Sequence, residues 1–293
     1  MSRASADVGV VIVTFNSAED LAGCLRSLPP CSSVLIVDNG SVDETLSVAE
    51  AAGVSCVPTG QNLGFGAAAN LGAARLTEPF LLLVNPDAIL GPGAVAALRS
   101  AFDAEPRLAI AGARLSYPGG GEQRSWWPFP SARRSWRHAI GISHWRPVER
   151  HPDGTVESIV GAAFMVRRVA WDQLGGFDRR YWLYGEETDL CRRAWDSGWT
   201  VRLVDEAKAV HRVGGSAGGA SDLVFEHFMR SAELFVRIHE GRRALVSHRV
   251  ATVVGAALRV VLWAPWPGRA GQRRREWRAL RRGLRALRNP ATV

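Results

Sequence analysis

The residues with the most chemistry to offer stand at the end of an apolar run. Phe80-Leu81-Leu82-Leu83-Val84 leads straight into Asn85-Pro86-Asp87. In an open α/β sheet, ligands bind at the carboxyl ends of strands. An Asp there can hold a divalent cation, and the cation can hold a diphosphate. One carboxylate makes only a half-site, because Asn85 adds a neutral oxygen and Pro86 fixes the turn. His211, read as lying in a loop after a late strand, could complete it. An Asp–His pair suits Mg2+ or Mn2+ once phosphate oxygens and water fill the octahedron. A solitary histidine is more often structural, so both readings stand.

Glu186, Glu187 and Asp189 crowd a helix start. The helix dipole favours anions there, which would explain all three. Like charges packed together also raise one carboxyl pKa towards the range of a general base. Trp182, Tyr184 and Trp195 could stack on sugar rings or belong to the core. Asp38 ends a second apolar run. It could accept from the N3–H of uracil or thymine or from ribose hydroxyls, or it could close an Asx turn in Asp38-Asn39-Gly40-Ser41. Gly64-Phe65-Gly66-Ala67-Ala68-Ala69 has the form of a dinucleotide fingerprint, but it is not in the first βα turn, which is Thr14-Phe15-Asn16. Its glycines either let the backbone approach a base or ribose closely or pack a helix. No GxxxxGK[ST] loop occurs, which excludes a P-loop NTPase. A nucleotidyltransferase is expected to carry a Gly-rich loop with Arg or Lys after the first strand, and Thr14-Phe15-Asn16-Ser17 is not one.

The elements that position these residues alternate. Val8–Val13, Val34–Val37, Val54–Val57 and Phe80–Val84 read as strands, the first buried on both faces. Helices are expected from Ser17 to Pro29, Val42 to Ala52, Leu63 to Leu76 and Pro92 to Phe102. The fold class is therefore α/β, a doubly wound, mostly parallel, Rossmann-like sheet. Leu108–Leu115 reads as a further strand. Tyr117–Ser158, with Trp126, Trp127, Trp136 and Trp145, has loop character of the kind used for lids. Order resumes at Ile159–Val166. A helix opens at Gly185, a strand runs over Thr200–Val204, and a helix covers Ser221–Ile238.

The net charge of +8 hides an asymmetry. From Gly241 onward there are thirteen arginines against one acid, Glu276, so that segment carries +12 and the preceding 240 residues sum to −4. The partner implied by charge belongs to the tail. Val250–Trp263 is apolar but interrupted by Arg259, too short and too charged for a membrane span. Gln272–Arg288 sets Trp277, Leu280, Leu284 and Leu287 on one face and Arg over most of the rest. That pattern fits an interfacial helix on an anionic membrane surface, or a solvated helix docked through its leucines. No base-reading motif accompanies the charge, so nucleic acid is not expected. The four cysteines form no CxxC pair and read as buried thiols of a reducing compartment. Met1–Asp7 is short and polar, so no cleaved leader is expected.

Taken in order, Val10-Val11-Ile12-Val13-Thr14-Phe15-Asn16, Val37-Asp38-Asn39-Gly40-Ser41, Asn62-Leu63-Gly64-Phe65-Gly66, Asn85-Pro86-Asp87, Gly175-Gly176-Phe177-Asp178 and Tyr184-Gly185-Glu186-Glu187-Thr188-Asp189-Leu190 resemble the inverting GT-A glycosyltransferases of family 2. The resemblance covers residues 8 to 215, with the helix to about 240 compatible. Among its subgroups the chain looks most like bacterial rhamnosyltransferases of cell-wall or surface polysaccharide synthesis.

The resemblance implies roles. Thr14, Phe15, Asn16, Asp38, Asn62, Gly64, Gly66 and Asn85 would line a nucleotide-sugar pocket, with Asp38 on the pyrimidine. Asp87 and His211 would hold Mg2+ or Mn2+. Gly161, Trp182 and Asp189 would border the acceptor. Glu187 stands where the family usually has the Asp base, with Glu186 beside it. The donor would be a dTDP- or UDP-sugar, best dTDP-rhamnose, with another hexose or galactofuranose as the alternative, and the acceptor a glycan or polyprenyl diphosphate-linked glycan. Asn85 and Glu187 depart from the family pattern and keep an inactive binding protein as a third reading. The implied organisation is a transferase domain over 1–240, with nucleotide (1–105) and acceptor (106–240) halves, and a membrane-associating tail over 241–293. The implied location is the cytoplasm, peripheral on the inner face of the plasma membrane. Oligomeric state is left open.

Overall fold

The computed structural model describes residues 7–30, 33–141, 150–212, 222–262 and 270–288. Cys31, Trp145 and the prolines 265 and 267 lie outside them. Strands β1 (Val8–Thr14), β2 (Ser33–Asp38), β3 (Ser55–Pro58) and β4 (Phe80–Val84) alternate with α1 (Ala18–Arg26), α2 (Thr45–Ala51) and α3 (Phe65–Ala73), as the hydrophobic pattern predicts. Every residue of β1 and β4 is buried, as continuous apolar runs require of strands covered on both faces. After a short strand β5 (Ala88–Leu90) comes α4 (Ala94–Ala104). Then follow β6 (Leu108–Ser116), β7 (Trp126–Trp127), α5 (Ala132–Ala139), β8 (Ser158–Ile159), β9 (Ala163–Arg167), α6 (Arg168–Leu174), α7 (Glu186–Asp196) and β10 (Thr200–His211).

Eight strands form one sheet in the order β3-β2-β1-β4-β9-β6-β10-β5. The pairs β2–β3, β1–β2, β1–β4 and β6–β10 are parallel. β9 is antiparallel to both neighbours, with Val84 opposite Ala163. Its beginning, not its end, therefore meets the carboxyl end of β4. Val10, Ile12, Leu82, Val84 and Met165 share one buried cluster that keeps these strand ends in register. Truncating a buried Leu such as Leu82 to Ala costs about 2–5 kcal/mol.

Two expectations change. Tyr117–Ser158 is not all loop, because β7 pairs with β8 and α5 forms inside it, capped by the Ser131 hydroxyl accepting from the Arg134 N–H. β10 does not stop at Val204. It passes through an irregularity between Val204 and Lys208 and continues to His211, antiparallel to β5. His211 therefore sits on a strand, not in a loop.

The chain divides into two compact units, residues 1–129 with 150–227, and residues 130–149 with 228–293. The helix α8 (Asp222–His239) runs from the first into the second, so this division does not coincide with the one drawn at 240 from charge. The second unit contains α5, the C-terminal part of α8, α9 (Arg242–Leu262) and α10 (Ala270–Arg288). Buried Glu233 accepts from Arg249 at 2.8 Å and from Arg282, while Arg249 donates to the Ala286 carbonyl at 2.9 Å. Removing one partner of such a buried pair costs about 3–5 kcal/mol. α10 meets α9 through small residues: Ala279, Gly283 and Ala286 are buried, and a Cβ on Gly283 would lie 2.6 Å from Val253. Leu280 and Leu287 are half-buried beside these small residues, and Leu284 is exposed. Because the helix begins at Arg242, α9 is long and apolar enough to cross a membrane, at a mean hydropathy of 1.6. It nonetheless buries Leu245, His248, Arg249, Ala251, Gly255 and Ala256.

Candidate active site

Three loops at the carboxyl ends of β1, β2 and β3 are tied together by short polar side chains. Asp38 accepts from the Thr14 hydroxyl at 3.0 Å, from the Ser41 hydroxyl at 2.5 Å and from the Ser41 N–H at 3.0 Å. The carboxylate is buried and closes its own turn, so the Asx-turn reading is realised. Asn16 adopts a left-handed φ of 50°, which Asn tolerates through local hydrogen bonds. Its N–H donates to Ser41 Oγ at 2.9 Å and its Oδ1 accepts from Val42 at 2.8 Å. Phe15 beside it is half-buried. Asn39 donates to Asn62 Oδ1 at 3.0 Å, and that oxygen also accepts from the Gly64 N–H at 2.9 Å.

The two glycines that follow face protein. Gly64 has φ 84°, and a Cβ there would lie 2.4 Å from the Trp182 carbonyl oxygen, which accepts from Phe65 N–H at 3.0 Å. A Cβ on Gly66 would lie 3.1 Å from the Phe177 Cβ. Close packing against Trp182 and Phe177 is one of the two readings open for these glycines, and the structure shows those contacts.

Asp87 and His211 come together as the spacing alone could not dictate. β5 begins directly after Asp87, and its antiparallel pairing sets Ala88 opposite His211. His211 Nε2 lies 3.4 Å from Asp87 Oδ1, with the side chains 11% and 8% exposed. On the other ring nitrogen, Nδ1, the Gln123 amide sits at 3.2 Å, and the Gln123 Oε1 is buried without a partner. No cluster of three His, Cys, Asp or Glu residues forms among those described. An imidazole and a carboxylate facing each other fit a divalent cation whose other positions go to phosphate oxygens and water. Asn85 supports the turn through its backbone, donating to the Ala162 carbonyl at 2.9 Å and accepting from Ala88 at 3.1 Å.

α7 opens at Gly185 (φ 86°) after Tyr184, an aromatic residue held at φ 66°. A bulky side chain at positive φ is strained, and such strain gathers at functional sites. Glu186 is buried and Glu187 half-buried, and each has an Oε2 buried without a hydrogen bond. Burial pushes both carboxyl pKa values up, and the charge of Glu187 pushes Glu186 further. Two adjacent carboxyls held above the ordinary range by burial are suited to proton transfer near neutral pH. A Cβ on Gly161 would lie 3.5 Å from Glu187 Cγ, so the start of β9 borders this carboxylate. The Tyr184 hydroxyl is raised by burial and by the charges of Glu186, Glu187 and Asp87, which places it within electrostatic reach of both acid pair and metal half-site.

Asp189 belongs elsewhere. It is 1% exposed and paired at 2.7 Å with Arg193, which also donates to the Leu174 and Gly176 carbonyls. Through Arg193 it is tied to the Gly175-Gly176 turn. Trp182 is 41% exposed and stacks on His227, with ring centroids 4.7 Å apart. The Trp195 indole is tied to the Val156 and Glu157 carbonyls at 3.2 Å. Sequence reasoning had not singled out Gln123, which sits in a stretch without periodicity. Tyr184 stood only among possible stacking rings, although an aromatic residue before Gly and an acid cluster was a usable signal.

A mostly parallel sheet whose carboxyl edge carries a cross-linked loop cradle, an Asp–His pair and a buried acid pair defines a GT-A glycosyltransferase. Residues 9–174 match the glycosyl transferase family 2 model, and residues 146–213 match the model described as the N-terminal domain of galactosyltransferase. The chain belongs to glycosyltransferase family 2 and is a nucleotide-sugar-dependent enzyme. It is 34% identical to the N-acetylglucosaminyl-diphospho-decaprenol L-rhamnosyltransferase of Mycobacterium tuberculosis, over 74% of this chain and 80% of that protein. The mannosyltransferase PcManGT of Pyrobaculum calidifontis, solved with GDP-Man and Mn2+, shares the fold at a TM-score of 0.59 and 14% identity, over 98% of this chain and 88% of that one. GalNAc-T7, solved with UDP, GalNAc and Mn2+, also gives 0.59 at 17% identity, over 79% of this chain and 48% of that larger one.

Proposed function

We propose that this enzyme transfers L-rhamnose from dTDP-rhamnose, with inversion, to a polyprenyl diphosphate-linked glycan at the cytoplasmic face of the membrane. The observation that carries the reading is the similarity to the mycobacterial decaprenol rhamnosyltransferase over most of both chains. Glu187 takes the acceptor hydroxyl proton as that oxygen attacks the anomeric carbon opposite the leaving nucleoside diphosphate. One displacement inverts the centre, and no covalent enzyme intermediate forms. Glu186 lies beside it, and the Tyr184 hydroxyl is within electrostatic reach of this pair and of Asp87. Asp87 and His211 hold the divalent ion, which when bound offsets charge on the diphosphate. Thr14, Phe15, Asn16, Asp38, Asn62, Gly64, Gly66 and Asn85 form and support the nucleotide cradle. Gly161 and Trp182 border the acceptor, and Asp189 acts through Arg193.

The basic helix α10 meets the anionic bilayer. Trp277 and Leu284, two turns apart, are 45% and 43% exposed, and Arg274, Arg278, Arg281, Arg285 and Arg288 are exposed on the same helix. Apolar groups at the headgroup boundary with arginines beside them suit peripheral binding. The test is transfer by the full chain to polyprenyl diphosphate-linked N-acetylglucosamine, comparing dTDP-rhamnose with UDP-hexoses and UDP-galactofuranose, with Mg2+ or Mn2+. A product gaining one deoxyhexose is expected. Transfer from a UDP-sugar but not from dTDP-rhamnose overturns the donor assignment.

A further inference from the structure

We infer that Gln123 is a positioning residue of the metal site, selecting the His211 tautomer by the orientation of its amide. The inference rests on the reading of Asp87 and His211 as the metal pair. Gln123 is buried, and its backbone is fixed: its N–H donates to the Leu115 carbonyl and its carbonyl accepts from the Ser125 hydroxyl, each at 3.0 Å. Ser125 in turn accepts from the Leu115 N–H at 2.8 Å, so the segment is held to β6. Only the amide end is left to respond.

The amide nitrogen lies 3.2 Å from His211 Nδ1, and the amide oxygen is buried without a partner. With the amide nitrogen donating, Nδ1 would accept and the ring proton would sit on Nε2, which lies 3.4 Å from Asp87 Oδ1. That arrangement suits the site without a cation. A cation on Nε2 requires the opposite tautomer, with the proton on Nδ1. A half-turn of the amide then brings Oε1 to Nδ1 as acceptor and gives the orphaned oxygen its bond. Asn and Gln amides present donor and acceptor ends of nearly equal shape, so one side chain serves both states. A histidine that binds a metal commonly donates its other ring N–H to an acceptor, and losing that acceptor weakens metal binding about 10–100-fold.

The test measures Mn2+ affinity of the full chain by the EPR signal of free Mn2+, in the presence of UDP and, separately, dTDP. Gln123→Leu, which keeps bulk without hydrogen bonding, is expected to lose about 10–100-fold in affinity. Gln123→Glu, whose carboxylate accepts from Nδ1–H, is expected to recover it, which a purely structural role would not produce. In 15N spectra of labelled histidine, adding Mg2+ and nucleotide should move the His211 proton from Nε2 to Nδ1 in the native chain, and not in Gln123→Leu. If Asp87→Asn and His211→Ala abolish binding while Gln123→Leu binds as tightly as the native chain, the role of Gln123 is overturned. If the native chain binds no Mn2+ with either nucleotide, or binds it regardless of Asp87 and His211, the metal-pair reading itself fails.

Discussion

Replacing Glu187 by Gln should remove the base while leaving its surroundings in place. Gln matches Glu in shape, so its packing beside Gly161 is preserved. Loss of a positioned general base costs about 10²–10⁴ in rate, which at about 1.36 kcal/mol per decade is about 2.7–5.4 kcal/mol of barrier. The loss should fall on kcat, with KM little changed, because the lost contact develops only in the transition state.

Glu186→Gln is the internal control. Both carboxyls have folded pKa values raised above the ordinary 4.5 by burial. A raised carboxyl destabilises the fold as pH climbs from the unfolded value through the folded one, and contributes no penalty below both. Glu186→Gln should therefore raise Tm at neutral pH, match the native chain below pH 4.5, and retain most of kcat. Steady-state transfer assays and calorimetry across that pH range check both. Native kcat in Glu187→Gln refutes the assignment. A collapse of kcat in Glu186→Gln alone would move the base to Glu186.

Two further outcomes follow from the packing. Gly64→Ala forces a side chain into φ 84° and a Cβ to within 2.4 Å of the Trp182 carbonyl, whereas Gly60→Ala, at φ 74° with open space around it, meets only the dihedral cost of about 1–2 kcal/mol. Urea denaturation should show Gly64→Ala the more destabilised, and equal losses would contradict the packing account. Neutralising Arg274, Arg278, Arg281 and Arg285 together should weaken binding to vesicles containing anionic lipid by about 1 kcal/mol per arginine, with the native binding itself falling at high salt. Unchanged flotation of that variant, or of a chain ending before residue 269, would remove the membrane role from α10.

Much of the site could be read before folding. Every strand that ends in a polar turn, and the acids after Gly185, follow from local pattern, because hydrophobic runs and helix starts are short-range signals. What local pattern could not show is which distant residues these groups touch. Asp38 accepts from Thr14 and Ser41, and Asp189 pairs with Arg193. Gly64 and Gly66 pack against Trp182 and Phe177, contacts that need glycine whether or not a nucleotide lies beside them.

By itself, then, the sequence determined the α/β alternation, the polar strand ends, the family and the basic character of the last helix. The tertiary structure alone decided how Asp87 acquires a partner. β5 is three residues long and β10 is twelve residues long with an irregularity inside it, and neither boundary is visible in composition. Their antiparallel register carries His211 across more than a hundred residues to Asp87, and a buried Gln from an unpatterned stretch meets the far side of its ring. Pairing of this kind depends on which strands are neighbours in the sheet, and one-dimensional periodicity holds no record of neighbours.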